Sequence, residues 1–115
     1  YRDGQEWLDQ LLPYLQANRD ALVEFVEKNL PGVAVTVPEG TTLAWLDFRA
    51  LNLPDNDPYK FLMDKAKVGL NDGKPFGEGG TGFVRLNFGC PRSILLTALE
   101  QIRVALTEIQ QEAAN

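Results

Sequence analysis

An α/β sandwich is the fold class the sequence predicts: a small, mostly antiparallel sheet of about four strands with helices packed on one face. Three observations predict it. Apolar residues recur at helical spacing near both ends of the 115-residue chain, over 4–30 and 91–111. Between them lie short β-branched or alternating runs bounded by proline and glycine. The resulting order is helix, strand, strand, helix, strand, strand, helix, which leaves one sheet face without a helical layer.

The first helix is marked by Trp7, Leu11, Leu15, Leu22, Phe25 or Val26, and Leu30, with charged and amide residues opposite. Pro13 removes one backbone hydrogen bond, so a kink or a junction of two helices is expected there, and Pro31-Gly32 ends the segment. Val33–Val37 and Thr42–Phe48 read as strands, and the Pro38-Glu39-Gly40 turn between them suggests an antiparallel pair. Asp47, at the end of the second strand, is expected to pair with Arg49 or Arg85 rather than act as a catalytic acid. Asp55-Asn56-Asp57 resembles a calcium loop only in part. Lys60 and Ala66 stand where the sixth-position glycine and twelfth-position glutamate belong, which excludes that reading.

Asp57 then caps a helix with Pro58 in its first turn, running through Phe61, Leu62, Lys65 and Ala66. Lys60, Lys65 and Lys67 are expected to be solvated rather than desolvated amines poised for Schiff-base chemistry. A short strand at Val68-Gly69-Leu70 and a turn at Asn71-Asp72-Gly73 follow. The glycine-rich 77–82 stretch lacks the Gly-Lys-Ser/Thr and the following helix of a phosphate loop, and reads as a mobile connection. The last helix, 91–111, should bury Ile94 or Leu95, Ala98, Ile102, Ala105 or Leu106, and Ile109. Residues 112–115 should fray. Arg92 in its first turn opposes the helix dipole, and a surface ion pair is its expected compensation.

Composition is that of a single soluble domain over 1–115, with 44% apolar and 23% charged residues. A net charge of −5 argues against nucleic acid or an anionic membrane as partner. No apolar run nears the ~20 residues that span a bilayer, and the N-terminal residues do not resemble a secretory signal. Met63 is the only methionine, so the chain is expected to be a piece of a longer protein. Cys90 is the only cysteine, which points to a reducing, cytoplasmic setting. There is no histidine, which excludes Ser-His-Asp and Cys-His catalysis and histidine metal sites within this chain.

The organising stretch is Phe83-Val84-Arg85-Leu86-Asn87-Phe88-Gly89-Cys90-Pro91-Arg92-Ser93. It reads as a strand running into a helix. Alternation sends Val84, Leu86 and Phe88 to one face and Phe83, Arg85 and Asn87 to the other. Arg85 and Asn87 thus form a pair of fixed donors, and an arginine fork on a rigid strand suits a carboxylate. Taken alone, Arg85 also fits a structural ion pair.

This stretch, with Tyr1-Arg2-Asp3-Gly4, 40–47 and 68–73 in the same order, resembles the C-terminal small domain of fold-type-I pyridoxal-phosphate enzymes. The subgroup it is most similar to is the MalY/PatB-like cystathionine beta-lyases (C-S lyases) and related aminotransferases. The resemblance implies that Arg85 binds the α-carboxylate of a cystathionine- or cysteine-like amino acid. It also implies pyridoxal 5'-phosphate as cofactor, a large domain bearing the Schiff-base lysine, and a homodimer. Asn87 is a weaker candidate, inferred only from its shared strand face. No counterpart of that lysine is found here, so the fragment alone is expected to be inactive. Two other readings stand beside this one: a free-standing regulatory module that binds a small carboxylate near Arg85 and Arg92, and an interaction domain using the bare sheet face.

Overall fold

Period-two alternation in two five-residue strands sets the architecture. The computed structural model describes residues 2–53, 57–62, 76–78 and 81–114. Their elements run α1 (Arg2–Asn29), β1 (Ala34–Thr36), β2 (Leu43–Asp47), a 3-10 turn (Arg49–Leu51), α2 (Pro58–Phe61), β3 (Phe76–Glu78), β4 (Phe83–Asn87) and α3 (Arg92–Ala114). The four strands form one sheet in the order β1-β2-β4-β3, every neighbouring pair antiparallel. The expected sandwich is the fold observed. Outside the described residues lie the strand expected at 68–70, the turn at 71–73, Lys65, Lys67, Asp55, Asn56, Gly79, Gly80 and the side chain of Trp7.

β2 and β4 are the central strands. Phe88 N donates to Thr42 O and Phe48 N to Gly82 O, both at 2.8 Å, so pairing continues past each end of the ladder. Ala44, Leu46 and Phe48 from one side of β2 and its extension, and Val84, Leu86 and Phe88 from β4, are all buried. They pack in one core with Leu22, Val26 and Leu30 of α1 and its end, and with Leu95, Leu99 and Ile102 of α3. Each such large aliphatic or aromatic side chain contributes about 1.5–3 kcal/mol by leaving water. The helices among the described residues therefore cover a single face of the sheet.

Several expectations need revision. Pro13 lies inside one continuous helix, so the two-helix alternative is not adopted. The stretch expected to be a mobile connection begins instead as β3, whose Gly77 and Glu78 pair with Arg85 and Val84. Partner backbone on β4 outweighs the weak strand preference of glycine here. In α3, Leu95 is buried and Ile94 exposed, Leu99 joins the core, and both Ala105 and Leu106 are buried. The helix continues to Ala114, three residues past its expected end at Gln111.

Other details follow local chemistry. Asp57 Oδ1 accepts from Lys60 N at 3.0 Å, capping α2 with Pro58 at its first position. Gly32, just past α1, takes φ +91°, the region open to glycine. No helix among the described residues is long and apolar enough to cross a membrane.

Candidate functional site

The face of the sheet away from the helices carries a row of residues at one register position: Thr36, Trp45, Arg85 and Gly77, from β1, β2, β4 and β3 in turn. Facing residues on neighbouring antiparallel strands bring their Cβ atoms to about 4.5–5.5 Å. Arg85 is therefore flanked by the half-buried Trp45 on one side and by a strand position with no side chain on the other. It is exposed and makes no hydrogen bond or ion pair among the described residues.

Asn87 shares the face two residues along, which is about 7 Å of strand. Its Oδ1 accepts from Gly89 N at 2.8 Å, so the side chain folds over the strand end and its Nδ2 remains the donor. Gly89 suits this closeness. A Cβ there would sit 3.1 Å from Asn87 Oδ1 and 3.3 Å from Thr42 Cβ. An exposed guanidinium and an amide N–H on one rigid strand face suit a carboxylate, which offers acceptors only.

The acid on this face is already engaged. Asp47 accepts at Oδ1 from Arg49 Nε and Arg49 N, each at 3.0 Å, and at Oδ2 from Arg49 Nη2 at 2.9 Å. Of its two expected partners, Asp47 takes Arg49. The side-chain bond from Arg49 and then its backbone N–H hold the Asp47 carboxyl below its ordinary range. The Arg49 guanidinium also lies 4.8 Å from the centroid of the Phe83 ring. Arg85 is thus left without an acidic partner among the described residues.

Arg92 departs from expectation. It makes no ion pair among the described residues. Its Nε donates to Asn18 Oδ1 at 2.9 Å, and its guanidinium lies 4.9 Å from the Tyr14 ring centroid. Its backbone N donates to Tyr14 Oη at 2.6 Å. Tyrosine and asparagine on α1 thus compensate a cation at the wrong end of the α3 dipole, where a surface carboxylate was expected. Lys60 is exposed, as a solvated lysine should be. Cys90 is half-buried, and burial pushes its thiol pKa up, so it stays protonated and weakly nucleophilic.

Sequence reasoning missed Asn18. It is fully buried, with Nδ2 donating to Phe88 O at 3.0 Å and to Cys90 O at 2.8 Å. The signal was present in the apolar stripe of α1, which skips from Leu15 to Leu22. Asn18 occupies that gap, and an amide at a core-facing helical position requires buried partners.

No protein-family model matches the chain. Among curated proteins it is 44% identical to Protein MalY of Escherichia coli over 95 residues, covering 83% of this chain and 24% of MalY. It is 38% identical to the cystathionine beta-lyase PatB of Bacillus subtilis, covering 93% of this chain and 28% of PatB. Among solved structures, cystalysin of Treponema denticola, which contains pyridoxal 5'-phosphate, aligns with a TM-score of 0.75 at 32% identity. That alignment covers 95% of this chain and 28% of cystalysin. The chain therefore spans roughly a quarter to three tenths of the length of these relatives. With a shared fold and this identity over most of its residues, the chain is related to one part of the MalY- and PatB-type cystathionine beta-lyases and of the similar pyridoxal-phosphate enzymes.

Proposed function

We propose that this chain is the small domain, over 1–115, of a pyridoxal-phosphate-dependent C-S lyase or aminotransferase, in which Arg85 binds the α-carboxylate of the amino-acid substrate. The observation that carries the reading is an exposed arginine on the sheet face opposite the described helices, unpaired among the described residues. Similarity to these relatives supports an amino acid of cystathionine or cysteine type as substrate.

The described residues do not themselves fit the cofactor. Lys60 is exposed, and the glycine-rich stretch begins in one strand and ends at another instead of opening a helix. The cofactor's phosphate site and lysine are assigned to a large domain elsewhere in the protein, and a homodimer is part of the same proposal. When bound, pyridoxal phosphate supplies an electron sink for the carbanion at the substrate's α-carbon. The part of this chain is orientation. Two-point contact through the Arg85 guanidinium, with Asn87 Nδ2 as a further donor, would fix the carboxylate and with it the orientation of the substrate's α-carbon.

The test is steady-state kinetics of the full-length enzyme with cystathionine and with cysteine. Replacing Arg85 by lysine keeps the charge but loses the fork. A fall in kcat/KM of about a hundredfold or more is expected, the scale of losing charge-assisted bonds of 1.5–3 kcal/mol each. Unchanged kinetics overturn the assignment. The isolated chain mixed with pyridoxal phosphate should show no specific adduct at any one lysine.

A further inference from the structure

Asn18 is the only fully buried polar side chain among the described residues, and the function proposed above does not use it. Its bonds cross 70 and 72 positions of sequence to the carbonyls of Phe88 and Cys90, the two residues flanking Gly89. Its Oδ1 takes the Nε of Arg92, so both ends of the amide are satisfied. One turn earlier on α1, Tyr14 Oη accepts from Arg92 N. The bend between β4 and α3 is thus held from the core side by α1. From the open face it is closed by Asn87, whose Oδ1 takes the N–H of Gly89.

We infer that Asn18 is a positioning residue for Asn87: by fixing the carbonyls on either side of Gly89 it fixes the Gly89 N–H, and with it the orientation in which Asn87 presents its Nδ2 beside Arg85. The inference rests on the reading of Arg85 and Asn87 as a carboxylate grip. Removing the Asn18 donors leaves the buried Phe88 carbonyl and the part-buried Cys90 carbonyl without this partner. The Phe88 carbonyl, in the same peptide unit as the Gly89 N–H, regains one by shifting the bend toward water. Such a shift moves Gly89 N away from Asn87 Oδ1 and frees the amide to rotate. Arg85, held by pairing to β2 and β3, stays in place.

The full-length enzyme with its cofactor bound is assayed with two competitors, L-alanine and ethylamine, which differ by the carboxylate. The ethylamine-to-L-alanine ratio of inhibition constants, large when the carboxylate is held, reports the grip and is insensitive to a uniform loss of folded protein. Asn18→Leu, close in size, is expected to lower that ratio about tenfold, as is Asn87→Ala, the value of one hydrogen bond to a charged group. The double variant should lose no more than either single one. A ratio within about twofold of wild type in Asn18→Leu, with only the thermal midpoint lowered, makes Asn18 a core filler and overturns the inference.

If Asn18→Leu does not accumulate, Asn18→Asp reads the same ratio, because it keeps the acceptor for Arg92 and loses both donors. Asn87→Ala, at an exposed position, decides the matter independently: an unchanged ratio there means that nothing passes through Asn87. The control is Arg85→Lys. If that variant leaves the ratio intact, the carboxylate reading itself has failed, an outcome distinct from failure at Asn18.

Discussion

Trp45 and Arg85 face each other across the β2–β4 ladder, on the side of the sheet that no helix among the described residues covers. Their neighbours in sequence, Leu46 and Val84, also face each other, and both are buried on the opposite side. One residue of register therefore separates the core from the candidate site. The two layers should respond to mutation in opposite ways. Leu46→Ala should cost about 2–5 kcal/mol in a urea titration, and Trp45→Ala only about 1–2 kcal/mol. Carboxylate binding should weaken severalfold in Trp45→Ala and change little in the folded fraction of Leu46→Ala. A reversed ranking in either measurement contradicts the assignment of faces.

The Asp47–Arg49 pair sets a pH dependence of known sign. The carboxyl has a lower pKa folded than unfolded, so it contributes stability that is fully present above the unfolded value of about 3.9. That contribution disappears as pH falls through the lower folded value. Carboxyl chemical shifts followed by NMR should place the Asp47 midpoint below that of an ordinary aspartate. In Arg49→Ala the midpoint should move back up, since the leading cause of the shift is the Arg49 side chain.

Two glycines separate backbone strain from collision. Gly32 and Gly40 both have positive φ, +91° and +74°. A Cβ on Gly32 would meet Leu51 Cδ2 at 2.6 Å, whereas one on Gly40 has nothing within 4 Å. Alanine at either position should cost about 1–2 kcal/mol for the left-handed backbone. Gly32→Ala should cost about 1 kcal/mol more, because Leu51 packs against the core and must shift. Thermal midpoints of the two variants measure the difference.

Asp57→Ala removes the side-chain acceptor of Lys60 N and should lower stability by about 1 kcal/mol. Asp57→Asn and Asp57→Ser should recover most of it, since either side chain offers an acceptor at the cap. A loss that neither variant recovers would mean that the charge, not the cap, is what matters there.

Legibility in the sequence followed the range of the interactions. Alternation in 83–88 assigned Arg85 and Asn87 to the open face and Val84, Leu86 and Phe88 to the core, because strand geometry is local. The Asp57-Pro58 cap was legible for the same reason. What escaped was set across the fold. β3 exists because β4 offers it a backbone partner, although Gly77-Glu78 reads locally as part of a loop. Arg92 finds Tyr14 and Asn18 on a helix more than seventy positions earlier, which no window of sequence contains. Leu95 rather than Ile94 enters the core, a choice of helix rotation that depends on how α3 lies against the sheet and α1.

Leu43, Trp45 and Phe83 share the open face with Arg85, and all three apolar side chains are only half-buried. Anything that settles on this oily ground also removes the solvent around the guanidinium. A charge pair strengthens as its surroundings become less polar, so enclosure and recognition of an acid are thermodynamically one event. The grip should be weak while the face is wet and tight once it is roofed.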